Sequence, residues 1–295
     1  MNLLTFKYGI HPAYKKNSTE ASAISPAKIP KKVVIPLQQH IGAPNKPLVK
    51  KGDTVKTGQK IAESEAFVSS PVHASISGKI KAIASSLSSS GQLLTSVTIA
   101  SDGKDEAYES SPKKREYTDL SPDEIRAIAK EAGIVGLGGA AFPTHVKLNP
   151  PKEKKIDAVI INGSECEPYL TADHRIMLEQ PEKVIYGLKA IMKSLNVSKG
   201  YIGIENNKKD AIEALLKVAN KNGADIEING LHVKYPQGAE KMLIKAILDR
   251  EVPTGGLPMD VGVVVQNAGT AVALTEAIQD EKPVIERVVT VSGSG

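Results

Sequence analysis

The second half of the chain alternates apolar, strand-like runs with amphipathic, helix-like segments, and this pattern limits the possible folds more than any other. Strands are predicted at 156–161, 201–204, 226–233 and 261–265, and helices at 182–195, 210–220, 240–248 and about 270–279. Such alternation predicts a doubly wound α/β domain. Ligands of these sheets bind beyond the carboxyl ends of the strands. The loops of interest are therefore 162–168, 205–208, 235–240 and 266–270.

Composition agrees with an aliphatic α/β core, because Trp is absent and aromatic residues make up only 4% of the chain. The net charge of +5 comes from dispersed lysines without an aromatic-interleaved patch, so nucleic-acid binding is not predicted. The single cysteine, Cys166, excludes an intrachain disulfide and a four-thiolate iron–sulfur cluster within the chain. No membrane span or signal core is recognised, so we expect a soluble protein that is at most peripheral to a membrane.

The pattern before the α/β domain predicts a separate β domain. We expect an irregular N-terminal segment at 1–27, a β domain at 28–101 and a linker at 102–118. Short apolar runs at 33–37, 60–62, 68–72, 75–83 and 93–99 are the predicted strands, since Gly, Pro, Asp and Ser turns separate them. The α/β domain follows at 119–285. Its first helix should begin after the capping residue Ser121 and end at Gly133.

Two segments of the β domain, 51–61 and 70–78, resemble the barrel-sandwich hybrid of biotinyl and lipoyl domains. In those families a hairpin lysine carries the cofactor, but the corresponding region 63–68 has no lysine here. The resemblance therefore implies the fold without the swinging-arm chemistry.

The densest glycine cluster of the chain, Gly136-Leu-Gly-Gly-Ala-Ala141, fits the spacing of a dinucleotide fingerprint. A helix precedes it instead of a strand, and Asp157 begins a strand instead of ending one, so the ordinary fingerprint is rejected. A turn that ends the helix and merely packs is one alternative. Ligand contact is favoured, because glycines allow close backbone approach and Lys147 follows as a candidate phosphate ligand.

Polar residues also follow the first predicted strand of the α/β domain. Asn162 could bond the amide-rich edge of a flavin or nicotinamide ring, and Glu165 and Glu167 could accept from ribose hydroxyls; a hydrogen-bonded loop with solvated acids is the alternative. Cys166 is predicted to be structural. The six histidines lack metal-ligand spacing, so no metal site is predicted. Hydrolase and nucleotide-triphosphatase motifs are absent from the sequence.

Four segments, at 136–147, 162–168 together with 173–175, 235–241 and 264–270, resemble the C subunit of the Rnf complex, a membrane-associated, ion-translocating ferredoxin:NAD oxidoreductase. A more distant similarity is to the NADH-oxidising flavoprotein subunit of respiratory complex I. The resemblance implies FMN and NAD(H) as cofactors. In addition, Ser164 stands where complex I relatives usually have an acid, and Gln266 where they have Asn.

The resemblance also assigns residues to each cofactor. For FMN they are Gly136, Gly138, Gly139, Lys147, Asn162, Glu165, Gly238, Glu240, Asn267 and Thr270. For NADH they are Ala140, Phe142 and Glu167. The first three glycines would form the cofactor loop, with Lys147 near the phosphate. Asn162 and Glu165 would face the isoalloxazine ring. Gly238 and Glu240 would approach from a neighbouring strand end, and Asn267 and Thr270 would meet the phosphate or ribityl end.

The function that the resemblance implies is NADH-dependent flavoprotein oxidoreductase activity, in which hydride passes between NADH and FMN without a catalytic side chain. The expected place is the cytoplasmic face of the cell membrane, with the other membrane and soluble Rnf subunits and ferredoxin, or a ferredoxin-like subunit, as partners. The family continues into a β-grasp segment and a domain with 4Fe-4S clusters. Residues 286–295, with a strand at 288–291, would begin that segment, so we expect a shortened form of the family.

Two alternatives to this function remain open. The first is a cobalamin reductase of bacterial microcompartments, which shares the architecture. The second is a noncatalytic docking module, in which the β domain binds partner subunits and the glycine-rich loop merely packs.

Overall fold

The N-terminal half forms two antiparallel sheets around an aliphatic core in the computed structural model, which describes residues 2–88, 91–108, 115–221 and 225–293. The strands are β1 Lys32–Pro36, β2 Lys46–Pro47, β3 Thr54–Val55, β4 Lys60–Glu63, β5 Val72–His73, β6 Gly78–Leu87 and β7 Leu93–Ser101. One sheet has the order β1-β7-β6-β3 and the other β2-β4-β5. Ile61, Val97 and Ile99 are fully buried between them. The predicted linker falls partly outside the described residues, at 109–114.

One predicted strand of the β domain, 68–72, is wrong. Only Val72–His73 pairs, as β5. Pro71 has no N–H to donate to a sheet, and the Ser69 hydroxyl donates to the Ala66 carbonyl at 2.6 Å, which forms a local turn. Strands β2 and β3 were not predicted, because two residues are too few to show alternation.

The second half is the predicted α/β domain. Its helices are α1 Pro122–Glu131, α2 Thr144–Lys147, α3 Ala172–Glu179, α4 Pro181–Ser194, α5 Lys209–Lys221, α6 Glu240–Leu248 and α7 Ala268–Gln279. Its strands are β8 Ala158–Gly163, β9 Lys199–Glu205, β10 Ile226–Leu231 and β11 Val263–Asn267, and short 3-10 turns lie at Tyr117–Asp119 and Pro258–Val261. Each predicted strand and helix of this domain is confirmed, with ends shifted by a few residues.

The four strands are parallel and lie in the order β10-β9-β8-β11. Side chains alternate across the sheet. Val159 and Ile161 pack in the core formed with α1, α3, α4, α5 and α7, whereas Ala158 and Ile160 pack in the core formed with α6. Burial on both faces explains the continuous apolar runs of these strands. The strand order reverses between β8 and β11, which is where such sheets open a ligand crevice.

Helix α1 begins and ends as predicted. Its capping residue Ser121 accepts a hydrogen bond from the Glu124 amide, and the Glu124 carboxylate accepts one from the Ser121 amide at 2.7 Å. The helix ends before Gly133, which has a φ of +68°.

Helix α3 was not predicted, and its N-terminus shows why. Thr171 makes no side-chain cap; instead the Glu165 carboxylate accepts from the Asp173 amide at 2.7 Å and the His174 amide at 3.4 Å. A cap supplied from outside the usual capping positions leaves no local signal in the sequence.

The two chain termini lie against the α/β domain. The N-terminal segment bridges the edge of the parallel sheet at Leu4 with Leu231, and then pairs Ile10 with Tyr235. The predicted strand at 288–291 is wrong: its backbone pairs with no strand of the described chain, and the Thr290 hydroxyl accepts from the Thr171 amide at 2.9 Å. Residues 294–295 of the predicted terminal segment lie outside the described residues. In the described chain, no helix has both the length and the apolar character needed to cross a membrane.

Candidate functional site

The carboxyl ends of β8 and β11 bring two asparagines side by side. Asn162 and Asn267 are direct partners in the parallel register. Asn162 is the penultimate residue of β8, whereas the sequence predicted that it would lie just after the strand. The Asn162 side chain donates to the Gly238 carbonyl at 2.7 Å, and the Asn267 side chain donates to the Asp173 carboxylate at 2.6 Å. Three of the predicted loops, 162–168, 235–240 and 266–270, therefore meet at one edge of the sheet.

The glycine-rich loop folds over the N-terminus of α7. The Gly136 amide donates to the Phe142 carbonyl at 2.9 Å and closes the loop, while the Leu137 amide donates to the Thr270 hydroxyl at 3.0 Å. A Cβ on Gly138 would lie 3.3 Å from the Asn267 Cβ. Gly139, at the exposed tip, has a φ of +126°, which favours glycine. The loop thus presents bare backbone beside the positive end of a helix dipole, an arrangement that suits an anion.

Lys147 and Glu240 approach the same edge from α2 and α6. The Lys147 ammonium lies 2.6 Å from the Glu240 carboxylate, and both side chains are partly exposed. Such a pair is worth about 1 kcal/mol or less, because water screens it. A phosphate oxygen could therefore compete with Glu240 for Lys147, since a phosphate monoester carries about −1.5 to −2 charge at pH 7 and a carboxylate one negative charge.

The loop between β8 and α3 carries both predicted acids, in different surroundings. Glu165 is buried, has a φ of 47°, and caps α3 as described above. Glu167 is exposed. Lys208, which is 1% exposed, donates to the Ser164 carbonyl at 2.6 Å and lies 3.5 Å from the Glu205 carboxylate. A buried ammonium thus fastens the start of this loop to the end of β9.

Cys166 lies in the same loop and serves packing. Its sulfur accepts a hydrogen bond from the Gly238 amide at 3.2 Å. Burial raises the pKa of the thiol to about 11, so the nucleophilic thiolate is scarce at neutral pH. The prediction of a structural cysteine agrees with this environment.

Among the titratable groups of the site, Asp173 has a pKa that is shifted strongly towards neutral pH. Burial, followed by the neighbouring Glu165 carboxylate, raises its pKa to about 7. The Asn267 amide and the charges of Arg287 and Lys208 act in the opposite direction. This carboxyl can therefore gain or lose a proton near neutral pH.

Among the buried polar atoms of the described residues that have no partner are two at the ends of β8 and β11, the Ser164 hydroxyl and the Gln266 side-chain nitrogen. They belong to the two positions at which the sequence departs from the complex I pattern. Gly238 lines a tight space nearby, because a Cβ there would lie 3.3 Å from both the Cys166 sulfur and the Ser164 Cβ. Unpaired buried polar groups are costly, so a polar ligand at this edge would stabilise them.

The structure gathers most of the predicted site residues at this edge: Gly136, Gly138, Lys147, Asn162, Glu165, Gly238, Glu240, Asn267 and Thr270. Gly139 and Ala140 form the exposed loop tip, Phe142 is half-buried where the loop returns, and Glu167 faces solvent. Their contacts with FMN and NADH stay predictions.

Sequence reasoning missed Lys208 and Lys16 as residues of this site. Lys208 lies in a strand-end loop that the sheet topology indicated, and that position was the available signal. Lys16 had no signal, because it is one of many lysines in an irregular segment.

A cavity of about 460 Å³ lies between the glycine-rich loop and the β domain. Its walls include β1, the segment 70–75, the glycine-rich loop and Arg287. One lining residue is His73, whose pKa burial lowers to about 4, so its ring is neutral at physiological pH. Among the described residues, no group of three or more His, Cys, Asp or Glu side chains could hold a metal ion.

Two family models match the chain, and they follow its two folded halves. Residues 4–104 match the RnfC Barrel sandwich hybrid domain, and residues 129–276 match the Nuo51 FMN-binding domain. The second match includes the glycine-rich loop and all three converging strand-end loops.

Curated relatives align over nearly the whole chain. The chain is 53% identical over 98% of its length to the C subunit of the Na(+)-translocating ferredoxin:NAD(+) oxidoreductase complex of Acetobacterium woodii. It is 52% identical over 99% of its length to the C subunit of the proton-translocating ferredoxin:NAD(+) oxidoreductase complex of Clostridium ljungdahlii. The chain spans 65% and 63% of these relatives. A solved NAD+-reducing NiFe-hydrogenase is similar in fold, with a TM-score of 0.50, 24% identity, and coverage of 55% of this chain and 31% of that one.

Proposed function

Since this chain belongs to the RnfC family, with an RnfC barrel sandwich hybrid followed by a Nuo51 FMN-binding domain, we propose that it binds FMN and NAD(H) and passes electrons between them. In this proposal the chain is the NADH-dependent flavoprotein part of an ion-translocating ferredoxin:NAD oxidoreductase complex. Its partners are the other subunits of that complex and ferredoxin or a ferredoxin-like subunit, and its place is peripheral, on the cytoplasmic face of the cell membrane.

The observation that carries the proposal is the convergence of the glycine-rich loop with the ends of β8 and β11, where the strand order reverses. The residues present suit a flavin mononucleotide. The N-terminus of α7 and Lys147 provide positive charge for a phosphate, while Asn162 and the unpaired Ser164 hydroxyl provide hydrogen bonds for polar ring or ribityl atoms. At the exposed loop tip, a Cβ on Gly139 would meet no atom within 4 Å, so a ligand can approach the backbone closely there.

FMN, when bound, supplies the chemistry, because it accepts hydride from NADH and releases electrons singly. The protein binds and orients. The glycine-rich loop and the α7 N-terminus would hold the phosphate end, and Asn162, which donates to the Gly238 carbonyl, would contact the ring edge. The Asp173 carboxyl can gain or lose a proton near neutral pH, beside the Asn267 amide. Exposed Glu167 and half-buried Phe142 are the side chains proposed to contact NADH.

The test is anaerobic reduction of the FMN-loaded chain by NADH. Purified chain is saturated with FMN, freed of unbound flavin and mixed with NADH, and the absorption band of oxidised flavin is followed. The proposal predicts that the band persists through the removal of free flavin and bleaches with NADH. A folded chain that retains no FMN overturns the proposal, and so does bound FMN that NADH leaves oxidised.

A matched pair of lysine variants locates the site. Lys147→Met should weaken FMN binding at least about tenfold, since one charge-assisted bond to phosphate is lost. Lys152→Met removes an exposed lysine outside the site and should leave the affinity unchanged. Equal affinities of both variants and the original chain would contradict the placement of the phosphate at Lys147, whereas a folded chain without FMN binding would support the docking-module alternative.

A further inference from the structure

Lys16 is a buried lysine that the N-terminal segment inserts into the α/β domain. It is 1% exposed, although lysines are rarely buried without partners. Its ammonium donates to the carbonyls of Glu165, at 2.9 Å, Glu167, at 3.0 Å, and Leu170. Three donors therefore meet three acceptors, all of them in the loop between β8 and α3.

This loop has a strained backbone that needs external support. Glu165 has a φ of 47° and Tyr169 a φ of 69°, both in the left-handed region that disfavours residues other than glycine. Of the three carbonyls bound by Lys16, that of Glu165 belongs to the first of these residues, that of Leu170 follows the second, and that of Glu167 lies between them. The Tyr169 amide also donates to the Tyr14 carbonyl at 2.8 Å, so the same N-terminal segment holds the loop at a further point.

The segment is also tied to α3, immediately after the loop. The Thr171 hydroxyl donates to the Thr19 hydroxyl at 2.9 Å, and Arg175 donates to the Glu20 carbonyl at 3.1 Å. The Lys16 ammonium lies 3.9 Å from the Glu165 carboxylate that caps α3. Residues 14–20 thus contact both the loop and the helix that carries Asp173.

The charges around Lys16 are nearly balanced. Glu165, Glu205 and Glu167 face it as acids and Lys208 as a second base. Burial, followed by repulsion from Lys208, lowers the pKa of Lys16, whereas the three acids oppose this shift. Neutral lysine would lose one of its three donors, so the observed geometry requires the charged form.

We propose that Lys16 is a positioning residue of the FMN site, which clamps the acid loop 163–170 and thereby fixes the positions of Glu165, which caps α3, and of exposed Glu167. The effect of Lys16 on FMN binding rests on the proposed function, whereas the clamp itself rests on the contacts described above. The N-terminal segment, which precedes the β domain in sequence, is therefore part of the site of the α/β domain.

The test compares Lys16→Met with Lys28→Met, a control in which an exposed lysine is replaced. We expect Lys16→Met to weaken FMN binding at least tenfold and to speed amide exchange across 163–173, whereas Lys28→Met stays within twofold. At saturating FMN, the reduction potential of the flavin should fall in Lys16→Met and be restored in Lys16→Arg, because a buried positive charge favours the electron-rich reduced flavin. Unchanged affinity, exchange and potential in folded Lys16→Met overturn the inference.

Amide exchange of the original chain tests the clamp in two further cases. If Lys16→Met does not fold, or if the original chain binds no FMN, the clamp still predicts that the amides of Tyr169 and Asp173 exchange as slowly as those of β8. Rapid exchange of these amides overturns the clamp. A chain with slow exchange but no FMN binding contradicts the proposed function and leaves the clamp standing.

Discussion

Replacing Asp173 by asparagine should remove a pH dependence of stability that the structure builds into the site. The carboxyl is enclosed by the Glu165 carboxylate and the Asn267 amide, with the charges of Arg287 and Lys208 nearby. Burial and Glu165 raise its pKa from the ordinary 3.8 to about 7. Asparagine keeps the oxygen that accepts from Asn267 and has no charge at any pH.

The sign of the effect follows from proton binding. Between the unfolded pKa of 3.8 and the folded pKa of about 7, the folded chain holds a proton that the unfolded chain has released. The contribution of Asp173 to the free energy of unfolding therefore falls as pH rises through this window, and it is level above pH 7. Three pKa units correspond to about 4 kcal/mol. Because Asp173 keeps some solvent-exposed surface, we expect about 1–2 kcal/mol.

Urea denaturation at about pH 5 and pH 8 measures this effect, through the free energy of unfolding extrapolated to water. Asp173→Asn should gain about 1–2 kcal/mol relative to the original chain between the two pH values. Asp119→Asn, at an exposed aspartate, is the control and should show no such gain. The reasoning is refuted if the stability difference between Asp173→Asn and the original chain is the same at both pH values.

Other replacements test the packing, the loop and the contact between the domains. Gly187→Ala would bring a Cβ to 2.1 Å from a backbone oxygen of α7. Thermal denaturation should therefore show a loss of about 2 kcal/mol or more in the free energy of unfolding. An unchanged melting temperature would contradict the packing of α4 on α7. Thr270→Val removes the acceptor of the Leu137 amide, so FMN titration should show several-fold weaker binding, and equal affinity would contradict a role of this bond. Lys60→Met breaks an exposed ion pair with Glu131 at 2.5 Å. Urea denaturation should show a change below about 1 kcal/mol in the free energy of unfolding, because water screens this pair. A larger loss would mean that the pair holds β4 to α1.

The parts of the fold that the sequence predicted are those with local signals. Ser121 and Glu124 lie three residues apart, and the apolar side of α4 repeats at helical spacing, so both helices could be recognised from short windows. Helix α3 depends on Glu165 as its cap, seven residues before the helix begins. A hydrogen bond across that separation leaves no periodic pattern, so this helix could not be predicted.

The residues of the candidate site also fall into two groups, those whose position the sequence could predict and those whose position it could not. Asn162 and Asn267 could be placed together because parallel strands end at a common edge, whatever the rest of the chain does. Lys16 could not, because its position depends on how the N-terminal segment crosses the sheet edge at Leu4 and Ile10. The ion pair of Lys147 with Glu240 was also beyond the sequence, since it joins two elements that are adjacent only in the folded domain.

The most direct test of the account is an equilibrium titration of the purified chain with FMN, followed by flavin fluorescence, and a parallel titration with riboflavin. If the strand-end loops and the α7 N-terminus form the flavin site, one FMN binds per chain. Riboflavin, which lacks the phosphate, should then bind at least about tenfold more weakly. A folded chain that binds neither flavin, or that binds both equally, would contradict the account.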